Sequence, residues 1–83
     1  MKENRSSTVL DVKIARVLKR LKSTFWSYEG YQGYRISITY HDNGSYVIEE
    51  GSFYDLHERV LSRHELIEYL KGNPKHKIFD CAE

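Results

Sequence analysis

The chain has 83 residues, 13 Lys/Arg against 12 Asp/Glu, and a single cysteine, Cys81. That length predicts one domain with a modest core. One cysteine excludes an internal disulfide and predicts a reducing compartment, the cytosol.

No apolar run approaches the roughly 20 residues of a membrane span, and no signal-peptide core follows the start. A membrane partner is therefore not expected. The net charge of +1 is unevenly spread. Residues 1–28 hold seven Lys/Arg against Glu3 and Asp11, while residues 29–83 hold six against ten acids. Such a basic N-terminal element meets an acidic partner or a phosphate backbone, or is neutralised by the acidic half of its own fold.

Residues 1–6 are polar, charged and without pattern, and are expected to lack structure. Ser7 or Thr8 is the predicted N-cap of a helix, with Asp11 in its first turn. Leu10, Ile14, Val17, Leu18, Leu21 and Phe25 fall on one stripe at 3.6-residue periodicity, which predicts an amphipathic helix ending near Phe25 or Trp26. Lys13, Arg16, Lys19, Arg20 and Lys22 flank the stripe, and Val12 and Trp26 fall on its solvent side.

Five of the ten residues from Phe25 to Tyr34 are aromatic, broken by Gly30 and Gly33. Phe25 and Tyr34 are expected to close the core at the helix–strand junction. Trp26, Tyr28 and Tyr31 are hard to bury together in so small a domain, so one or two of them are expected to be exposed, as a contact patch rimmed by Glu29, Gln32 and Lys22.

From Tyr34 to His41 apolar and polar residues alternate, which predicts a half-buried strand. Asp42-Asn43-Gly44 then predicts a hairpin. A two-residue Asn-Gly turn would set Glu49 opposite Ile38 on the core face. A three-residue loop with Gly44 left-handed pairs Tyr40 with Tyr46 and Ile38 with Ile48, and is the register expected. It leaves Ser37, Thr39, Val47 and Glu49 on the outer face.

Residues 53–60 fit two templates. Tyr54, Leu56 and Val60 alternate as in a strand, with Glu58 the misfit; Phe53, Leu56 and Val60 also fit a short helix. The strand is preferred. Ser62-Arg-His-Glu65 is a capping box with Leu61 and Leu66 as its staple, and Leu66, Ile67, Tyr69 and Leu70 make a helix face that Gly72 ends. Residues 77–81 predict a short edge strand or a docked tail.

The fold class is thus α+β, a single small domain: helix, a hairpin or three-stranded antiparallel meander, then helix, with a short C-terminal strand as an addition. The predicted core is Leu10, Ile14, Leu18, Leu21, Phe25, Ile36, Ile38, Ile48, Leu66 and Leu70. The helix–strand–strand–strand–helix order is similar to that of double-stranded-RNA-binding domains. That family reads phosphates with a lysine-rich start to its last helix, whereas the same place here reads Ser62-Arg-His-Glu-Leu-Ile-Glu, so the resemblance is one of topology and carries no function.

No catalytic or metal site is expected. His57-Glu58 and His64-Glu65 lack the close ligand pairs that zinc requires. Cys81, three residues from the end, is poorly held for nucleophilic work. Glu49 and Glu50 are strand neighbours and point to opposite faces. Gly30 and Gly33 are followed by a strand, with no helix start to hold a phosphate. No cofactor is expected. The leading expectation is a non-enzymatic protein-binding module, a small regulator, inhibitor or accessory subunit. It would contact its partner through Trp26, Tyr28 and Tyr31, with Arg16, Lys19 and Arg20 steering an acidic surface. Nucleic-acid binding through the basic helix and the same aromatics is the alternative. A homodimer across Thr39 and Val47 is a third reading.

Overall fold

A computed structural model of the chain describes residues 5–80. Helix α1 (Arg5–Leu21) is followed by four strands, β1 (Trp26–Glu29), β2 (Arg35–Tyr40), β3 (Tyr46–Ser52) and β4 (Asp55–Leu61), then helix α2 (Arg63–Lys71). A 3₁₀ turn spans Tyr31–Gly33 and another spans Lys77–Asp80. The strands form one antiparallel sheet in the order β1-β2-β3-β4. The architecture is α+β, as the hydrophobic periods predict, with one strand more than the meander read from sequence.

Helix α1 begins ahead of Ser7 and Thr8, the expected caps, and takes in Arg5 and Ser6. The remainder of the stretch expected to lack structure lies outside the described residues, as does Cys81. Ile14, Val17, Leu18 and Leu21 are buried along one stripe, with Leu10 partly buried against them. The helix stops at Leu21, four residues short of the expected end. The N–H groups of Ser23 and Thr24 both turn back to the Arg20 carbonyl, and β1 follows.

That early stop corrects two expectations. Trp26 lies in β1 opposite Ile38 and is buried, only 8% exposed, rather than on the solvent side of a helix. Phe25, expected in the core, falls in the connection between α1 and β1 and is 60% exposed. Trp26 and Tyr28 share the inner face of the sheet because they are two residues apart on a strand.

The β2–β3 hairpin has the expected register, with Tyr40 opposite Tyr46 and Ile38 opposite Ile48. The His41 N–H bonds to the Ser45 carbonyl and the Gly44 N–H to the His41 carbonyl, which leaves a three-residue loop with Gly44 at φ +91. The strand preferred for residues 53–60 is present as Asp55–Leu61, but Phe53 and Tyr54, expected within it, form the turn that precedes it. The second helix starts in the expected capping box: Ser62 Oγ accepts from the Glu65 N–H at 3.1 Å, and Glu65 Oε1 accepts from the Ser62 N–H at 2.8 Å. The C-terminal segment is a docked 3₁₀ turn and not a strand, with Ile78 and Phe79 buried.

The two α-helices and the C-terminal 3₁₀ turn cover one face of the sheet. α1 packs on β2, α2 on β4, the C-terminal turn on β1, and α1 on α2. The inner face supplies Trp26, Ile36, Ile38, Tyr46 and Ile48 to a core completed by Leu66, Leu70, Ile78 and Phe79. Burying such a set contributes about 1.5–3 kcal/mol per large apolar side chain. The outer face carries Ser27, Glu29, Arg35, Ser37, Thr39, Val47, Glu49, Leu56, Glu58 and Val60 by register. Among the described residues no helix lies over it.

Candidate functional site

The register places the β1–β2 connection and the β3–β4 turn at the same end of the sheet: Glu29 opposes Arg35, Arg35 opposes Gly51, and Gly51 opposes Leu56. Three aromatic rings project there. Tyr31 is 92% exposed, Phe53 72% and Tyr54 98%. Exposing this much aromatic area forgoes the burial that normally stabilises a fold.

The local chemistry of this tip is unusual. Ser52 pairs with Asp55, so Phe53 and Tyr54 alone make the β3–β4 turn. Two-residue hairpin turns favour Asn-Gly or Gly-X, because one or both central residues need a positive φ. Among the described residues only Gln32, Gly33, Gly44 and Gly51 have a positive φ, so neither turn residue does. The backbone accommodation is made one pair earlier. Gly51 lies so close beneath the Asp55 carbonyl that a Cβ there would collide with it. Phe53 and Tyr54 thus occupy a turn whose commonest residues would be small and polar.

The two loops are joined. The Phe53 ring rests on Gly33, where a Cβ would lie 2.5 Å from its Cδ2 and Cε2 atoms. Phe53 and Tyr54 stand edge to face with centroids 6.2 Å apart. Gly33 has φ +77 and Gln32 φ 57, so the Tyr31–Gly33 turn is held in a tight left-handed form. Backbone bonds from Gly30 N–H to the Tyr34 carbonyl and from Tyr34 N–H to the Tyr31 carbonyl close it.

The structure divides the residues that sequence reasoning grouped. Tyr31 is in the tip. Tyr28 is half-buried on the inner face, with the Lys77 ammonium 5.6 Å from its ring centroid. Trp26 is buried and offers no contact surface. Arg16, Lys19 and Arg20 are exposed on α1, near its end and so at the opposite end of β1 from Tyr31. A four-residue strand separates the two ends by about 13 Å. Phe53 and Tyr54 were not singled out from sequence as contact residues. One signal was available: neighbours on a strand face opposite ways, so two adjacent aromatics cannot both enter one core.

Behind the tip the inner face carries a half-buried polar cluster. Tyr34 Oη donates to Glu50 Oε2 at 3.0 Å. Burial, then this hydrogen bond and the Glu50 charge, push the Tyr34 hydroxyl up to about 12. His76 Nε2 is 2.9 Å from Tyr69 Oη, and His76 Nδ1 accepts from the Ile78 N–H at 3.1 Å. The Arg59 guanidinium lies 5.4 Å from the Tyr69 ring centroid. Toward the tip, Tyr34, Glu50, Asp55, His57 and Arg59 bound an open concavity of about 380 Å³. The Asp55–His57 pair, at 3.0 Å, is largely exposed and so contributes little to stability.

Glu49 and Glu50 do face opposite ways: Glu50 joins the inner cluster, while Glu49 stands opposite Glu58 on the outer face. Among the described residues no group of three or more His, Cys, Asp or Glu side chains is placed to hold a metal, and no helix is long and apolar enough to cross a membrane. Comparisons with protein-family models, with curated proteins and with solved structures found no match to this chain.

Proposed function

We propose that the chain is a small non-enzymatic protein-binding module, acting in the cytosol as a regulator, inhibitor or accessory subunit, that grips its partner with Tyr31, Phe53 and Tyr54. The observation that carries this reading is the Phe53-Tyr54 turn. Tyr54 is 98% exposed and Phe53 72%, at turn positions whose commonest residues are small and polar. Tyr and Phe bring large contact area for few rotatable bonds, which is why they anchor binding surfaces. The contact role expected of Trp26 and Tyr28 passes to Phe53 and Tyr54, because the first two serve the core and its margin.

Self-association across the outer face is less favoured. Glu49 and Glu58 stand directly opposite one another there, and a face-to-face second copy would add two more carboxylates to an already repulsive pair.

The test is site-specific photo-crosslinking in cells, with the crosslinker at position 54 and, as a control, at position 45 on the opposite hairpin. A discrete adduct from position 54 that is absent from position 45, and lost on Tyr31→Ala, supports the reading. Equal labelling from both ends would remove it.

A further inference from the structure

The basic face of α1 is a separate feature that the aromatic tip does not use. Arg16, Lys19 and Arg20 follow one another at i, i+3 and i+4 on α1, which aligns them on one side over about 6 Å, and Ser23 lies in the turn just past the helix end. With Thr24 they line a single open groove of about 440 Å³. Among the described residues none of the three cations has a carboxylate partner. Glu29, Glu49 and Glu58, accompanied by Arg35 as the one cation among them, lie on the outer face of the sheet, on the far side from α1. A net charge of +1 thus conceals a cationic layer on one side of the molecule.

Phe25 adjoins this layer. It and Arg20 line the same small crevice with Thr24 and Trp26, and the ring stays 60% exposed. Cations spaced along a groove, two hydroxyls and an open aromatic ring are the parts with which proteins hold a sugar–phosphate backbone while stacking a base. An acidic protein surface would use the same cations and ring, so the test carries a polyanionic peptide competitor. A duplex keeps its base faces stacked inside, where Phe25 has nothing to meet.

We propose that Arg16, Lys19, Arg20, Ser23 and Phe25 form a docking surface for single-stranded nucleic acid. The cations neutralise successive phosphates and Phe25 stacks on one base. This surface is independent of the aromatic tip, so the failure of either proposal leaves the other standing.

The experiment is fluorescence anisotropy of labelled oligo(dT) and oligo(U), about a dozen nucleotides long, titrated with the full chain at rising salt. Three neutralised phosphates give a slope of about −2 in log K against log salt, or roughly a 20-fold loss for a fourfold rise in salt. Arg16→Gln and Arg20→Gln are each expected to flatten the slope by about 0.7. Phe25→Ala, outside the core, is expected to weaken binding at least about fivefold with the slope unchanged. Tyr54→Ser is expected to change neither. The proposal is overturned by no binding at low salt, by equal or tighter binding to duplex, or by a Phe25→Ala variant that binds as well as the parent. It is also overturned if polyglutamate competes as well as an unlabelled oligonucleotide, which would assign the face to an acidic protein.

Discussion

The ring of Phe53 lies on the backbone of Gly33, 20 residues earlier in the chain, and this contact locks the two loops of the aromatic tip together. A Cβ at position 33 would meet the ring at 2.5 Å, and the backbone there is left-handed at φ +77. Gly33→Ala therefore carries two penalties, a left-handed strain of about 1–2 kcal/mol and displacement of the ring. The expected result is a thermal midpoint lowered by roughly 4–10 °C for a domain of this size. A double-mutant cycle separates the two terms. In a Phe53→Ala background the ring is gone, and Gly33→Ala should cost only the backbone part. Identical costs in both backgrounds would show that the ring contact contributes nothing.

The capping box of α2 gives a second prediction. Ser62 and Glu65 satisfy each other's backbone N–H groups at the helix start, and the helix then buries Leu66 and Leu70. Ser62→Ala leaves the Glu65 N–H without its acceptor and should cost about 1 kcal/mol. Ser62→Asn, which restores an acceptor at the cap, should recover most of it. Chemical denaturation of the three proteins measures this directly. A fully stable Ser62→Ala variant would mean that packing alone holds the helix.

These two sites differ in how plainly the sequence announces them. The capping box and the Asp42-Asn43-Gly44 loop are local: their geometry is decided by four or five consecutive residues, and both are found as expected. Strand β1 was missed because Phe25 sits four residues after Leu21 and prolongs the helical stripe. A strand of only four residues offers a weak period-two signal against it, although Trp26 and Tyr28 do alternate. The tip is harder still. Tyr31, Gly33, Phe53 and Tyr54 meet only because β1–β2 and β3–β4 turn at the same end of one sheet. With residues 53–60 read as strand throughout, the place of Phe53 and Tyr54 in the turn at that end was not legible.

Alkaline stability should report the inner cluster. Tyr34 donates to Glu50 and has its ionisation raised from 10.0 to about 12, chiefly by burial and then by this hydrogen bond. Ionising it removes the donor and sets a phenolate beside a carboxylate. Since the folded value lies above the unfolded one, this contribution is complete below about pH 10 and is lost as pH rises toward 12. Burial also raises Tyr69 and Tyr46, so they act in the same direction. Tyr34→Phe is expected to lower stability at neutral pH and to flatten the decline above pH 10, followed by denaturant midpoints against pH. An unchanged decline would assign it to the other tyrosines.

Acid stability should report His76. Its Nδ1 accepts from the Ile78 N–H, so the neutral ring carries its proton on Nε2 and donates to Tyr69 Oη. The ring also stands 5.4 Å from that of Trp26, between β1 and the C-terminal turn. Protonating Nδ1 would aim a second hydrogen at the Ile78 N–H and break the bond that starts the segment burying Ile78 and Phe79. Burial holds the His76 ionisation below its ordinary 6.5, with the Glu50 charge opposing in part. The sign follows: the unfolded chain takes up this proton first, so the contribution is complete above pH 6.5 and is lost as pH falls through the lowered folded value. Stability measured downward from about pH 7 should therefore decline in the native chain before carboxylates titrate. His76→Gln should begin less stable and show a shallower decline across that window. A ring titration of His76 by NMR that falls at or above 6.5 would contradict this account, as would a variant whose stability tracks the parent's across the whole range.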